Sequence, residues 1–354
     1  MQNPFITTSN IPNPKKLPTD DRFGIDAVVI HFSLNMSHSY TLGPEWVRET
    51  KEKQGEDIYE VFERYFDFGH HMPRVTVFPE HQTCKIKLNA PKSISPTNET
   101  PFPVGAFKSL VEKLISQLLG EVVPSFVYIT DEGEFLWQSD WETNVRIISI
   151  ELARDFLIPE ERESELQKAL SAVTPKRNYL ESDFRRKGGF TRTQSTKTNG
   201  KDTIYNKTAE LSEKSVNASE TNGLARYRFE TLVKAERRDR YGLKTLASLS
   251  ESRCWEAVCH RFEETGWNVV ISSADSLRAT LEKLEYKTKE KLLGYNTILQ
   301  MGLKVDSTAQ LRRDREKLAR NIGLVLGLRV DEHPSGFSVL SLSHGGLVEI
   351  DPTI

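Results

Sequence analysis

Long apolar runs are missing from this 354-residue chain. No stretch approaches the roughly 18 apolar residues that a membrane-crossing helix needs, so nothing in it is expected to span a bilayer. The N-terminus lacks the basic, apolar and small-residue succession of a secretory leader, and a cytoplasmic location is expected. Cysteine is scarce. Cys84, Cys254 and Cys259 are scattered and odd in number, which argues against a disulfide framework and fits a reducing compartment. No Cys/His set at zinc spacing accompanies Cys254 and Cys259, so both read as buried or inert thiols. A P-loop is absent, as is a His-hydrophobe-His pair; the adjacent His70 and His71 read as structural. An overall excess of one charge is lacking too. The net charge of -2, with 28% charged residues and a mean hydropathy of -0.49, does not by itself announce a nucleic-acid binder.

The charge that is present is unevenly placed. Between Lys176 and Lys207 nine Lys/Arg face three acids, a local excess of six positive charges. Compensating acids cluster from Asp131 to Glu165, so one side of the molecule is expected to be basic and able to hold a phosphate backbone. A solvated charged loop is the other reading of that segment. From Arg185 onward, R-R-K-G-G-F-T-R-T-Q-S-T-K-T-N-G reads as a flexible, basic loop.

Periodicity places the remaining elements. Four prolines before residue 22 predict an extended or disordered arm over 1–22. Gly24 to Phe32 reads as a buried strand, Glu45 to Phe66 as helical pieces, and Arg74–Phe78 with Cys84–Leu88 as a hairpin. Apolar residues at three- and four-residue spacing predict a helix from Val104 to Leu119. Ser125 to Thr130 reads as a strand, followed by an acidic hairpin or irregular loop. Val145 to Ala153 is the best central strand, with Ile148, Ile150 and Leu152 on one face and Ile147, Ser149 and Glu151 on the other. A helix from Pro159 to Val173 comes next, and Leu224 to Lys234 is another strand, with Arg226, Arg228 and Glu230 alternating onto one face. Beyond Leu243 the chain reads as helical near 244–264, 276–293 and 308–328, with a terminal hairpin. The last helices suit either a helix-turn-helix variant turning Arg312, Arg313, Arg315, Lys317 and Arg320 to DNA or ordinary packing with a wet basic face. The fold class expected is α+β: a central, mostly antiparallel sheet with helices packed on one face, over 23–242, followed by a mainly helical C-terminal domain over 243–354.

The chemistry is expected in D-T-I-Y-N-K-T-A-E-L, Asp202 to Leu211. On a strand, Tyr205 and Lys207 project from one face and Ile204 from the other, with Glu210 in the first turn of the succeeding element. Phenol, ammonium and carboxylate together suit phosphoryl transfer through a tyrosine nucleophile. A packed Tyr beside a snorkelling Lys is the plainer reading. Glu151 and Glu230, each a carboxylate in a strand, read as salt-bridge partners or metal ligands.

Four blocks in order resemble the filamentous-phage gene II/X rolling-circle replication initiators and their plasmid relatives: I-K-L-N-A-P-K (Ile86 to Lys92), I-S-I-E-L (Ile148 to Leu152), T-I-Y-N-K-T-A-E-L (Thr203 to Leu211) and R-Y-R-F-E (Arg226 to Glu230). The match runs from about Gly24 to Gly242. It implies that Tyr205 is the nicking nucleophile, helped by Lys207, and that Mg²⁺ or Mn²⁺ is held by Glu151 with Glu210 or Glu230. Arg185, Arg186, Lys187, Arg192, Lys197, Lys201, Arg226 and Arg228 would hold DNA, with the cations near Tyr205 favouring its phenolate. The family's R-I-D strand is here Ser149-Ile150-Glu151, and its G-H-N is Ser95-Pro96-Thr97-Asn98, keeping only the Asn. The resemblance implies origin DNA as substrate in a bacterial host cell, a host helicase and DNA polymerase as partners, and a homodimer. A non-enzymatic DNA-binding regulator with a degenerate initiator domain is the alternative; a conjugative relaxase would show a histidine cluster that is missing here.

Overall fold

Alternation of apolar and polar residues builds a large sheet, and a computed structural model of the chain describes it over residues 22–35, 42–51, 59–172, 181–185, 191–196, 200–214, 222–267, 270–271, 274–303, 309–327, 329–333 and 337–350. The expected arm over 1–21 lies outside the described residues. Strand β1 (Phe23–Ser33) is followed by β2 (Val47–Lys51), β3 (Tyr59–Tyr65), β4 (Arg74–Phe78) and β5 (Thr83–Asn89). Helix α1 (Phe107–Ser116) precedes the short hairpin β6 (Val127–Ile129) and β7 (Phe135–Trp137), the one-turn helix α2 (Trp141–Asn144), the long strand β8 (Arg146–Pro159) and α3 (Glu163–Ala172). Then come β9 (Glu181–Arg185), β10 (Thr191–Thr196), β11 (Gly200–Asn206), α4 (Lys207–Glu213), β12 (Leu224–Lys234), α5 (Ala235–Arg240) and α6 (Glu251–Thr265). The chain ends through β13 (Val270–Ile271), α7 (Ala274–Glu282), α8 (Tyr286–Gln300), α9 (Ala309–Asn321), β14 (Phe337–Ser341) and β15 (Gly346–Ile350).

The protein is α+β, and its main sheet is mostly antiparallel, in the order β2-β3-β4-β5-β1-β8-β12-β11-β10-β9. One sheet face carries Ile30, Ile86, Ile150, Phe156, Ile204 and Phe229, all buried beneath α1 and α6. Helix α1 contributes the stripe Phe107, Leu110, Val111, Leu114 and Ile115. Helix α6 stacks Phe262 on Phe156 and sets it edge-on to Phe229. Its buried Arg261 pairs with Asp202 of β11, donating from Nε to Oδ1 at 3.1 Å, and Thr231 of β12 donates to the same oxygen at 2.7 Å. Cys254 and Cys259 lie in this core, as a thiol without ligand spacing should. The terminal hairpin β14–β15 forms as expected, and its Leu340 joins the core, while α7, α8 and α9 surround a smaller cluster that includes Leu277, Leu292 and Ala319. No helix among the described residues is long and apolar enough to cross a membrane.

Several expectations are corrected. Residues in the expected helical pieces over Glu45 to Phe66 form β2 and β3, because Y-E-V-F-E-R-Y alternates with period two and buries Val61. Within the expected basic loop, Arg185 ends β9 and Thr191–Thr196 form β10, whose T-R-T-Q-S-T run is β-branched at nearly every second position, while 186–190 and 197–199 lie outside the described residues. The helix expected over 276–293 is two, α7 and α8, and the first C-terminal helix starts only at Ser250, whose side chain caps α6 by accepting from Arg253 N. In β8 a bulge opposite Val29 and Ile30 turns Ile148 outward and sends Ile147 into the core, the reverse of strict alternation.

Removing one partner of the buried Asp202–Arg261 pair strands the other. Asp202→Ala is expected to lower stability by about 3–5 kcal/mol, read from urea unfolding midpoints.

Candidate active site

The polar face of the sheet gathers ionisable side chains from β8, β11 and β12. Tyr205 of β11 lies opposite Arg228 of β12, and Arg228 opposite Asp155 of β8; one step along, Thr203 faces Glu230 and Glu230 faces Ala153, beside Glu151. Period two therefore puts Tyr205, Arg228, Glu230, Glu151 and Asp155 on one surface. The strand stops at Asn206, whose side chain caps α4 by accepting from Ala209 N at 2.8 Å, so Lys207 opens the helix from inside the site. Tyr205 Oη donates to Glu230 Oε1 at 2.7 Å. Both residues, like Glu151, are half-buried.

Arg228 is the anchor. Fully buried, it donates from Nε and Nη2 to the two oxygens of Asp155 at 2.6 and 3.0 Å, and to the carbonyls of Asn98 and Glu99 at 2.8 and 2.6 Å. Burial pulls its guanidinium down, but Asp155 outweighs that and holds it firmly charged. The loop it grips is also tied to β1, where Ile25 and Phe102 exchange backbone hydrogen bonds and Gly24 leaves no room for a Cβ. Asn98 then bridges two groups: its amide donates to Asp26 Oδ1 at 3.4 Å and its Oδ1 accepts from Lys207 Nζ at 3.0 Å. Lys207 is fully buried, bonds Glu210 Oε2 at 2.6 Å and sits 5.7 Å from the Tyr205 ring centroid.

Asp26 reaches the site because a bulge in β1 between Ile25 and Ala27 re-aims it. Burial, and next the charge of Asp26, push Glu151 up; burial, then Asp26 and Glu151, push Glu230 up to about 8. Burial and then Glu230 raise Tyr205 well above its ordinary value, so the phenol is held protonated. The expectation that nearby cations favour the phenolate is overturned: burial and Glu230 outweigh Arg228. Burial lowers Lys207, with Arg228 next.

Glu151 and Glu230 feel the negative charge of their neighbours more than that of the cations around them. Among the described residues, however, no three His, Cys, Asp or Glu side chains are grouped to hold a metal ion by themselves. The donor set fits Mg²⁺ or Mn²⁺ in the manner usual for phosphate chemistry, with one or two carboxylates and the remaining positions filled by water and substrate oxygens. Asp26, Glu151 and Glu230 are the residues that would hold it. Glu210 is occupied otherwise: burial raises it, but ion pairs with Lys207 and Lys214 take both its oxygens and hold it below the carboxylate range.

The residues expected to touch DNA separate. Lys201 is exposed on the site's face. Arg228 is wholly engaged in the frame, and Arg226 is half-buried against Glu99. Arg192 alternates onto the core side, 3% exposed; burial lowers it to about 10 against the pull of Glu316 of α9. Arg228 and Arg192 are held inside the protein, the first by pairing and the second by alternation. The backbone of Arg185 ends β9, while Arg186, Lys187 and Lys197 lie outside the described residues. Of the C-terminal cations, Arg312, Arg313 and Lys317 are exposed, and Arg315 covers the Tyr295 ring at 5.4 Å. Tyr227, a second tyrosine near in sequence, is on the core face, donating to Glu163 at 2.6 Å, away from Tyr205; Tyr179 lies outside the described residues. Asp26 and Asp155 are site residues that the sequence reading misses. Asp26 carries the same signal as Glu151, a carboxylate inside an apolar strand, whereas Asp155 lies beyond the expected end of its strand. Among protein-family models none matches this chain, and no curated protein matches it.

A carboxyl raised by folding binds its proton more tightly in the native state, so native stability falls as pH climbs from the ordinary value of 4.5 to about 8. In chelator, wild-type unfolding free energy is expected to drop across that window by on the order of 4 kcal/mol, and Glu230→Gln to flatten most of the drop in denaturant titrations.

Proposed function

We propose that the protein is a DNA strand transferase of the rolling-circle initiator kind, nicking and rejoining one strand through Tyr205. The observation that supports this reading most is the 2.7 Å hydrogen bond from Tyr205 Oη to Glu230, set among half-buried carboxylates beside Lys207. A phenol whose proton is already directed at a carboxylate has a general base in place once that carboxyl is ionised. The carboxylates also repel a bare phosphate, which is why a divalent cation belongs to the reading: it would neutralise the phosphate and stabilise charge in the transition state.

The chain's own residues divide the work. Glu230 takes the phenolic proton as Tyr205 Oη attacks phosphorus. The bond from phosphorus to the 3′ oxygen breaks, and that oxygen leaves as a 3′-hydroxyl, protonated from water. The product is a 5′-phosphotyrosyl ester, whose retained bond energy allows the reverse step to reseal the strand without a nucleoside triphosphate. Lys207, held by Asn98 and Glu210, places positive charge next to the reacting phosphate. Arg228 and Asp155 position Asn98 and take no part in the chemistry. The 3′-hydroxyl is a primer that a polymerase extends.

Two assays test this. A single-stranded DNA pool with a randomised stretch, incubated with Mn²⁺ and run on denaturing gels, is expected to yield a protein-linked fraction with wild type and none with Tyr205→Phe. Equal yields from both remove Tyr205 as nucleophile. Binding without any adduct favours a non-enzymatic DNA-binding regulator. Asn98→Ala, which releases Lys207, is expected to slow adduct formation by about 10- to 100-fold with little change in DNA affinity. A matching loss of affinity would make Asn98 a binding residue.

A further inference from the structure

The same sheet face continues beyond the carboxylates, and there it turns basic. Counting rows across the strands from Tyr205, the next holds Glu230 and Thr203, and the third holds Glu151, Leu232 and Lys201. The fourth holds Lys87, Val29, Ser149 and Lys234, and the fifth Lys85, His31 and Arg146. Lys87, Lys201, Lys234 and Arg146 are exposed, and Lys85 is half-buried. None of the five cations forms an ion pair among the described residues, although other cations of the sheet do, Arg74 and Lys51 on Glu63 among them. Lys201, Lys87 and Lys234 stand near enough to Glu151 to counter the rise in its pKa. Lys85 and Arg146 flank His31. Like charges brought together on neighbouring strands destabilise a sheet unless something neutralises them. An apolar residue, Ile148, is turned out of the bulge between the last two rows, 36% exposed.

We propose that Lys87, Lys201 and Lys234, continued by Lys85 and Arg146, form a phosphate track for single-stranded DNA that leads to Tyr205; this rests on the strand-transfer reading above. The rows lie about 6.6 Å apart, two residues of strand rise each, a step that one unstacked nucleotide spans. A flexible single strand can follow the sheet plane and present successive phosphates to successive rows. A duplex, as a stiff cylinder, would meet that plane along a narrow line and leave the outer lysines unused. Ile148 and His31 give bases an apolar surface on which to rest at the far end. The track also explains how a carboxylate-rich site admits a polyanion: the strand is held by the cations on one side, and only the scissile phosphate crosses to the acids.

The test is anisotropy of a labelled oligothymidylate of about 20 nucleotides, titrated across salt concentrations with the full chain. The triple variant Lys87→Gln/Lys201→Gln/Lys234→Gln removes surface charge without touching the core, and circular dichroism checks that it folds. It is expected to bind at least tenfold more weakly at moderate salt, and its log K against log salt slope is expected to flatten by about 2, near 0.7 for each phosphate no longer neutralised. Tyr205→Phe is expected to bind like wild type, which separates the track from the chemistry. If the strand-transfer reading alone fails, adducts are absent while the lysine dependence remains. Unchanged affinity and slope in the triple variant overturn the track whether or not adducts form. So does an equal loss in Arg312→Gln/Arg313→Gln, which would assign binding to α9, or tighter binding of a duplex of the same length.

Discussion

The buried guanidinium of Arg228 is the interaction on which the site depends. It joins β12 to β8 through Asp155 and fastens the loop after β5 through the carbonyls of Asn98 and Glu99. A charge taken out of water must be surrounded by acceptors, and satisfying it forces that loop to lie over the sheet. Once the loop is there, Asn98 reaches both Asp26 and Lys207. One desolvated cation thus sets the position of residues from four separate parts of the chain. Arg228 also stands 3.6 Å from Asp26, so it tempers the acidic cluster it helps assemble.

The second constraint is electrostatic. Asp26, Glu151 and Glu230 share a partly desolvated surface, and the repulsion among them appears as raised pKa values at the two glutamates. A fold selected only for stability would have given each of these groups its own cation or replaced it, because desolvated carboxylates crowded together cost free energy. Here the carboxylate nearest to being a base is also the one that accepts the tyrosine proton. The opposing face of the same strands is largely apolar or locked by Asp202–Arg261, so strain on the polar face is carried by a rigid support.

Much of this was legible in the sequence because period two is a strong signal in long strands. The strand Leu224–Lys234 and the shared face of Arg226, Arg228 and Glu230 follow from alternation alone, as does the polar side of Glu151. Legibility failed where a strand departs from regularity. The bulge that aims Asp26 and the one that exposes Ile148 are properties of pairing with a neighbour, which one strand's sequence does not display. For the described residues Val47–Lys51 and Tyr59–Tyr65 a helical reading fails because aromatic and β-branched residues at mixed spacing satisfy two periods, and only the sheet edge decides between them. Counting nearby cations points the Tyr205 shift the wrong way, because it ignores burial and because Arg228 is already engaged by Asp155.

Under the proposed function Tyr205 itself forms a bond to DNA. The most direct measurement is digestion of a denatured protein–DNA adduct with trypsin and nuclease, followed by mass spectrometry of the modified peptide. Trypsin releases Asp202–Lys207, D-T-I-Y-N-K, as one fragment. A nucleotide phosphate on the tyrosine of that fragment is the predicted result. Strand breaks accompanied by an unmodified D-T-I-Y-N-K fragment, or a nucleotide attached to another peptide, would contradict it.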